Sequence, residues 1–129
     1  MFGIGRVRCV FIDVDNRDVR AVEIDDIWGQ YCEVIRCDNI FRIVCSVGGT
    51  RYAVYGDKDV LQDRSAVVSA YSSEGKPVLG GNILLTRVGN RRKASLTDKD
   101  MAHLQQFVRN CSSELCPEEH PAIFGLELE

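Results

Sequence analysis

Hydrophobic and polar residues alternate over short stretches in the first half of the chain, which is typical of β-strands with one buried face. Four such stretches form two pairs, and they cover residues 7–14, 19–24, 40–47 and 50–55. The first pair is joined by the polar residues 15–18. The second is joined by Gly48 and Gly49, which suit the positive φ angles of a tight hairpin turn. The pattern therefore predicts two β-hairpins.

A third hairpin is predicted in the second half of the chain. Residues 67–71 and 78–88 are rich in apolar side chains, and the polar stretch 72–77 between them has the composition of a turn. Hairpins that follow one another along a chain favour a sheet in which sequence neighbours are also spatial neighbours. We therefore predict a meander-like antiparallel sheet of about six short strands.

The strongest local signal marks the start of a helix. Thr97 is followed three residues later by Asp100, an Asp variant of the capping box, and Leu96 and Met101 occupy the positions of a hydrophobic staple. Apolar residues then recur at helical spacing, at Met101, Leu104, Phe107, Val108 and Cys111. The spacing predicts an amphipathic C-terminal helix over residues 98–110 that packs on the sheet.

A shorter helix is predicted near residues 25–32. Asp25 and Asp26 are suitable capping residues, and apolar residues such as Trp28 follow them at helical spacing. Gly29, in the middle of this stretch, disfavours a helix because glycine loses more backbone freedom than other residues. Consecutive strands that form one sheet, with a helix packed on it, are typical of the α+β class, and this is the predicted fold class.

The composition is that of one globular domain. The chain has 129 residues, of which 45% are hydrophobic and 27% charged, enough to bury a core without crosslinks. No apolar run approaches the roughly 20 residues that span a bilayer, and the first residues lack a signal-peptide pattern. We therefore expect a cytoplasmic protein with no membrane partner. In that compartment the six cysteines are expected to be reduced thiols.

Charge is unevenly distributed along the chain. Residues 111–129 contain five acidic and no basic side chains, whereas the rest of the chain has 16 basic against 14 acidic ones. We expect a single α+β domain over residues 1–111 and an acidic C-terminal tail over residues 112–129, which would add a strand to a sheet or contact another subunit. Residues 61–110 hold eight bases against four acids. This excess is too small for nucleic-acid binding but favours a small anion.

The residue types used for metal binding or catalysis do not form a recognisable pattern. Five potential zinc ligands are too loosely spaced for a tetrahedral site, namely Cys32, Cys37, Cys111, Cys116 and His120. Nucleophilic catalysis needs a base near the nucleophile, and neither His103 nor His120 stands in a motif that would place it there. We therefore predict no metal, no cofactor and no catalytic residue.

A set of basic and aromatic residues points instead to an anion-binding site. Arg91, Arg92 and Lys93 come shortly before the predicted helix, and both helix N-termini and arginines attract anions. An aromatic side chain would stack on a base. The candidate ligand-binding residues are Arg87, Arg91, Arg92, Lys93, Asn82, Tyr52, Tyr55 and Trp28. Because a domain of this size has little room for a deep cavity, we expect the ligand to lie between the subunits of a homo-oligomer.

Three motifs carry a resemblance to a known family. They are G-G-T-R-Y-A-V-Y-G-D at residues 48–57, G-N-I-L-L-T at residues 81–86 and S-L-T-D-K-D at residues 95–100. The chain from about residue 7 to residue 108 resembles a family of small bacterial and phage proteins of unknown function, in which these motifs recur in the same order. The resemblance implies no catalytic residues. It implies a binding role, since small phage-borne domains often inhibit a host protein or sequester a nucleotide-derived immune signal.

Three functional hypotheses follow. The first is a non-enzymatic phage-type accessory protein that sequesters a small anionic nucleotide-derived signal, such as a cyclic nucleotide or an ADP-ribose-like molecule, in the host cytoplasm. The second is an inhibitor or adaptor that binds a host defence protein through its sheet edge and C-terminal tail, whose apolar residues are Ile123, Phe124, Leu126 and Leu128. The third is an unrecognised hydrolase of the same signals.

Overall fold

Two β-sheets and two short helices make up the part of the chain that the computed structural model describes, which is residues 6–16, 18–25, 27–60, 68–72, 77–89, 94–112 and 122–128. The fold is α+β, as predicted. In chain order the elements are β1 (Arg6–Asp13), β2 (Asp18–Asp25), α1 (Trp28–Ile35), β3 (Ile40–Val47), β4 (Thr50–Asp57), a 3-10 turn (Lys58–Val60), β5 (Val68–Ser72), β6 (Pro77–Gly80), β7 (Ile83–Arg87), α2 (Asp98–Gln105), β8 (Val108–Ser112) and β9 (Ala122–Leu128). Neither helix in these ranges is long and apolar enough to cross a membrane.

The larger sheet has five antiparallel strands in the order β2-β1-β7-β4-β3. Two of its pairings, β1 with β2 and β3 with β4, confirm the first two predicted hairpins. β7 lies between these hairpins and pairs with both β1 and β4. The strand order therefore differs from the predicted meander, because β7, from later in the chain, lies between the two hairpins. The alternation of apolar and polar residues predicts strands but not their order in a sheet.

The smaller sheet has four strands in the order β6-β5-β9-β8. β5 and β9 run parallel, and the other two pairs are antiparallel. The third predicted hairpin is confirmed for β5 and β6, but residues 78–88 form two strands rather than one. The chain bends at Gly81, which has a φ of +75°, a value that side chains disfavour. β6 therefore stays in the smaller sheet, while β7 enters the larger one.

The start of α2 is as predicted and its end is not. Thr97 Oγ1 accepts a hydrogen bond from the Asp100 backbone nitrogen at 3.1 Å, and Asp100 Oδ2 accepts one from the Thr97 backbone nitrogen at 2.9 Å, which completes the capping box. The helix ends at Gln105 rather than near residue 110. Residues from Val108 onward pair with β9 instead, and this long-range pairing overrides the local helical spacing.

The predicted short helix is α1, which begins and ends later than residues 25–32. Its N-cap is Ile27, which makes no side-chain capping hydrogen bond, so the predicted capping role of Asp25 is wrong. Asp26, the other predicted cap, lies outside the described residues. The Ile27 backbone nitrogen donates to the Asp25 carbonyl oxygen at 2.8 Å. A backbone turn between Asp25 and Ile27 thus precedes the helix.

Hydrophobic residues bury both faces of the larger sheet. The face toward α2 and the smaller sheet carries a cluster that includes Val10, Ile12, Tyr52, Val54, Leu79, Leu85 and Leu104. The face toward α1 carries a second cluster that includes Cys9, Phe11, Tyr31, Ile35, Ala53, Tyr55 and Leu84. Successive residues of β1 and β4 alternate between the two clusters, as side chains of a strand must. The larger sheet is therefore the middle layer of the fold.

The last described strand, β9, has neighbours on both sides. Its residues pair with β5 in parallel and with β8 in antiparallel register. Residues 122–128, which the charge pattern assigns to an acidic tail, therefore form an internal strand of the smaller sheet.

Candidate functional site

The predicted site residues do not form one cluster. Arg91, Arg92 and Lys93 lie outside the described residues. The other five fall in three places, which are the α2 side of the larger sheet for Tyr52 and Arg87, the α1 side for Tyr55 and Trp28, and the end of β1 for Asn82. The first of these places is a cleft, and it is the candidate site.

Tyr52 and Arg87 are direct cross-strand partners on β4 and β7. Side chains at partnered positions of an antiparallel pair project from the same face of the sheet. That face meets the first turns of α2, and between them lies a cleft of about 420 Å³. The cleft is lined by Thr50, Tyr52, Arg87, Thr97, Lys99, Asp100 and His103, and we call it the α2 cleft.

Asp100 connects the helix start to the sheet. Its Oδ2 atom accepts hydrogen bonds from the backbone nitrogen and the hydroxyl of Thr97, both at 2.9 Å. The same oxygen lies 3.6 Å from Arg87 Nε. The carboxylate is mostly buried, whereas about half of the Arg87 side chain is exposed. The ion pair therefore holds one side of the guanidinium against the helix N-terminus and leaves the rest at the surface of the cleft.

Tyr52 places a buried hydroxyl in the wall of the α2 cleft. The residue is only 1% exposed. Its hydroxyl makes no hydrogen bond of normal geometry within the described part of the chain. Burial raises the pKa of Tyr52 to about 12, and the nearby Asp100 carboxylate adds to the shift. The hydroxyl therefore keeps its proton at neutral pH and is a donor group close to the Asp100 carboxylate, while the buried ring has no open face for stacking.

His103 is a lining residue that sequence reasoning missed. Its Nε2 atom lies 2.7 Å from the Val47 carbonyl oxygen. Since a carbonyl oxygen only accepts, Nε2 carries the proton, and the Nδ1 atom of the neutral ring is an acceptor. The ring centroid lies 6.2 Å from that of Tyr52. His103 lies four residues after Lys99 and three after Asp100, so all three side chains share one face of α2. This spacing is the sequence signal that identifies His103 as a lining residue of the cleft.

Trp28 and Tyr55 lie on the opposite side of the larger sheet from the α2 cleft. Tyr55 is three residues after Tyr52 on β4, and an odd separation along a strand reverses the face. The Tyr55 ring stacks on Tyr31 with centroids 4.3 Å apart, and its hydroxyl oxygen accepts a hydrogen bond from Arg42 Nε at 3.2 Å. Trp28 meets the edge of Tyr55 at 6.1 Å and is 54% exposed. Of these aromatic residues, Trp28 alone presents much surface.

Asn82 has a structural position. Its Oδ1 atom accepts a hydrogen bond from the Val14 backbone nitrogen at 3.0 Å. Its Nδ2 atom lies 3.4 Å from both an Asp15 carboxylate oxygen and the Ile35 carbonyl oxygen. The buried amide thus ties the β1–β2 turn to the end of α1. All its polar atoms face protein groups rather than the α2 cleft.

No three metal-ligating side chains come together among the described residues. The chain matches no protein-family model, no curated protein and no solved structure. A functional assignment therefore has to come from the chemistry of the site. The lining residues of the α2 cleft offer hydroxyl donors, two cations, one carboxylate and an imidazole acceptor, a set suited to binding a polar ligand.

Proposed function

We propose that the protein binds a small anionic, nucleotide-derived ligand in the α2 cleft and holds it without chemical change. The observation that carries the proposal is the meeting of Arg87, the buried hydroxyl of Tyr52 and the start of α2 in one cleft. The cleft lies within the size range of ligand pockets, roughly 300–1,000 Å³.

The charges of the cleft favour an anionic group at its mouth. Arg87 and Lys99 contribute two positive charges against the single carboxylate of Asp100. Arginine binds phosphate through paired hydrogen bonds, and lysine binds it as a point charge. The sequence adds Arg91, Arg92 and Lys93 between Arg87 and α2, and we propose that they increase the positive potential around the ligand.

Asp100 favours a nucleotide over a bare phosphate. A carboxylate in the cleft repels a second anion but accepts hydrogen bonds from hydroxyl or amino groups. A ligand that carries such groups beside its phosphate satisfies both Arg87 and Asp100, whereas inorganic phosphate satisfies only the cations. We therefore expect a cyclic nucleotide or an ADP-ribose-like molecule to bind more tightly than phosphate.

Calorimetry on the full chain tests this proposal. Cyclic mononucleotides, cyclic dinucleotides, ADP-ribose and inorganic phosphate are titrated into wild type, Arg87→Gln and Arg51→Gln. Arg51 is the matched control, since it is an exposed arginine on β4 next to Tyr52 and faces the other side of the sheet. Removing a charged hydrogen bond at Arg87 should weaken binding by about ten- to a hundredfold. Binding of none of these ligands, or equal loss in both variants, would overturn the proposal.

A release assay separates storage from hydrolysis. The protein is incubated with the ligand that binds, then denatured, and the ligand is identified by mass spectrometry. Recovery of the intact ligand supports sequestration. Recovery of cleavage products would instead favour the hydrolase hypothesis, with Asp100 and His103 as the first residues to replace.

A second candidate function is protein binding through the α1 side of the molecule. Ile27 and Trp28 are 44% and 54% exposed. Trp28 contacts Tyr55, on the face of the sheet that also carries the exposed Arg42 and Val44 of the edge strand β3. Tryptophan and arginine are the residues most enriched where binding energy concentrates in interfaces. Deleting residues 112–129 would remove β9 and disrupt the smaller sheet, so Trp28→Ala is the better test. Loss of biological activity in Trp28→Ala with nucleotide binding intact would favour this function.

A further inference from the structure

Cys32 and Cys37 lie on either side of the left-handed residue that ends α1. Arg36 adopts a left-handed conformation, with φ and ψ of 67° and 52°. The backbone nitrogens of Arg36 and Cys37 both donate to the Cys32 carbonyl oxygen, at 2.8 Å and 3.0 Å. The second of these bonds closes the six-residue loop of a Schellman motif. The side chains of the first and last residues of this motif often pack against each other. The cap therefore brings together two cysteine residues that are five positions apart in sequence.

The surroundings of the two thiols agree with this juxtaposition. Both cysteines are partly buried and pack against the core cluster on the α1 side of the larger sheet. The pKa of Cys37 is raised to about 11, mainly by burial and in smaller part by the negative charges of Asp57, Cys32 and Asp38.

We propose that Cys32 and Cys37 are a redox site that forms a reversible disulfide on reaction with a peroxide. This site is independent of the α2 cleft, which lies on the other side of the larger sheet. A cytosolic thiol pair of this kind is reduced at rest and oxidised transiently.

The reaction takes place in two balanced steps. The Cys32 thiolate attacks one peroxide oxygen, the O–O bond breaks, and Cys32 becomes a sulfenic acid while the second oxygen leaves as water or an alcohol after taking up a proton. The Cys37 sulfur then attacks the Cys32 sulfur, the S–O bond breaks, and hydroxide leaves with the Cys37 proton as water. Two thiols lose two electrons to one peroxide. Cys32 is the attacking residue because the raised pKa keeps Cys37 protonated.

The other cysteines with described side chains are poorer candidates. Cys9 is fully buried, and its thiol donates to the Val7 carbonyl oxygen. Cys45 lies on β3 in the cluster on the α2 side, and burial raises its pKa as well. Neither has the backbone closure that joins Cys32 to Cys37, so Cys45→Ser serves as the matched control.

Peptide mapping of the full chain tests the site. Reduced protein is treated with hydrogen peroxide, remaining thiols are blocked with N-ethylmaleimide, and a glutamate-specific protease cuts after Glu33, between the two cysteines. We expect the peptides that contain Cys32 and Cys37 to be linked, with the loss of two hydrogens and of both maleimide adducts, and to separate on reduction. Wild type and Cys45→Ser should link equally. Unlinked peptides, or preferential linkage of Cys32 to another cysteine, would overturn the proposal.

Two further variants test the order of the steps and the role of the cap. Cys37→Ser should leave a sulfenic acid on Cys32 that a cyclic 1,3-dione traps, and absence of this adduct would overturn the assignment of Cys32 as the attacking residue. Arg36→Gly favours the left-handed conformation and should link as fast as wild type, whereas Arg36→Val disfavours it and should link more slowly. Equal rates in the two Arg36 variants would overturn the positioning role of the cap.

Discussion

Asp13 and Arg20 form an ion pair across the first hairpin, with Arg20 Nη1 3.1 Å from Asp13 Oδ2. The Asp13 side chain has no exposed surface, and it also accepts hydrogen bonds from the backbone and side-chain nitrogens of Asn16. Arg20 is partly exposed and additionally contacts Asp18. The carboxylate of Asp13 therefore organises the turn between β1 and β2 from a buried position.

Replacing Asp13 by asparagine should destabilise the protein. The change leaves Arg20 without its buried partner and removes an acceptor from Asn16, so we expect a loss of about 1–3 kcal/mol in the free energy of unfolding. Urea denaturation followed by Trp28 fluorescence measures it. Asp18→Asn is the control, because an exposed ion pair contributes only about 0–1 kcal/mol. Equal losses in the two variants would contradict the role assigned to Asp13.

The contribution of Asp13 should disappear in acid. Burial raises the pKa of Asp13, but hydrogen bonds from Asn16 and Arg20 outweigh it and hold the pKa below its ordinary value of 3.8. A carboxyl whose pKa is lower in the folded state stabilises fully above its unfolded pKa, and this stabilisation is lost as the pH falls through the folded value. The stability difference between wild type and Asp13→Asn should therefore be constant from neutral pH to about pH 5 and shrink below about pH 4. A difference that grows in acid would contradict the prediction.

Tyr52→Phe should separate stability from binding. The hydroxyl of Tyr52 is buried without a hydrogen bond of normal geometry, so its removal should change the free energy of unfolding by less than about 0.5 kcal/mol or increase it. Ligand affinity should nevertheless fall, because the donor in the α2 cleft is lost. Tyr55→Phe is the control. It should lower the free energy of unfolding by about 0.5–1.5 kcal/mol, since the Tyr55 hydroxyl accepts a hydrogen bond from Arg42. Thermal unfolding and calorimetry report the two effects separately.

Gly48 should be the less replaceable of the two turn glycines. Both have positive φ angles, 55° at Gly48 and 84° at Gly49. A Cβ atom at Gly48 would lie 2.3 Å from the Phe107 ring, whereas at Gly49 it would meet nothing within 4 Å. Gly49→Ala should cost about 1–2 kcal/mol in backbone strain, and Gly48→Ala should cost more through the added clash. The double variant Gly48→Ala/Phe107→Leu should recover part of the difference in urea denaturation.

The parts of the fold that could be predicted are those set by neighbouring residues. The β1–β2 and β3–β4 hairpins and the Thr97–Asp100 capping box depend on residues close in sequence, and all three are present. The position of β7 depends on pairing with strands from earlier in the chain, which alternation does not encode. The end of α2 is not encoded locally for the same reason, since Val108 pairs with a residue of β9.

The candidate site was predictable in part. Tyr52 and Arg87 were chosen for their residue types, but their meeting depends on the β4–β7 register across a long stretch of sequence. The opposite orientation of Tyr52 and Tyr55 could be read from their odd spacing on one strand. The spacing of Lys99, Asp100 and His103 places His103 on the same face of α2, whereas its hydrogen bond to Val47 joins segments that are distant in sequence.

The internal position of β9 has a consequence for synthesis of the chain. The five strands of the larger sheet have all been made once Arg87 has been added, whereas the smaller sheet waits for Ala122–Leu128. Until then β5 has an open edge and β8 has no partner in the sheet, and unpaired strand edges are the places where strands of different chains join wrongly. A nascent chain stalled between these points therefore carries a complete sheet beside an incomplete one, and it is the form most exposed to aggregation.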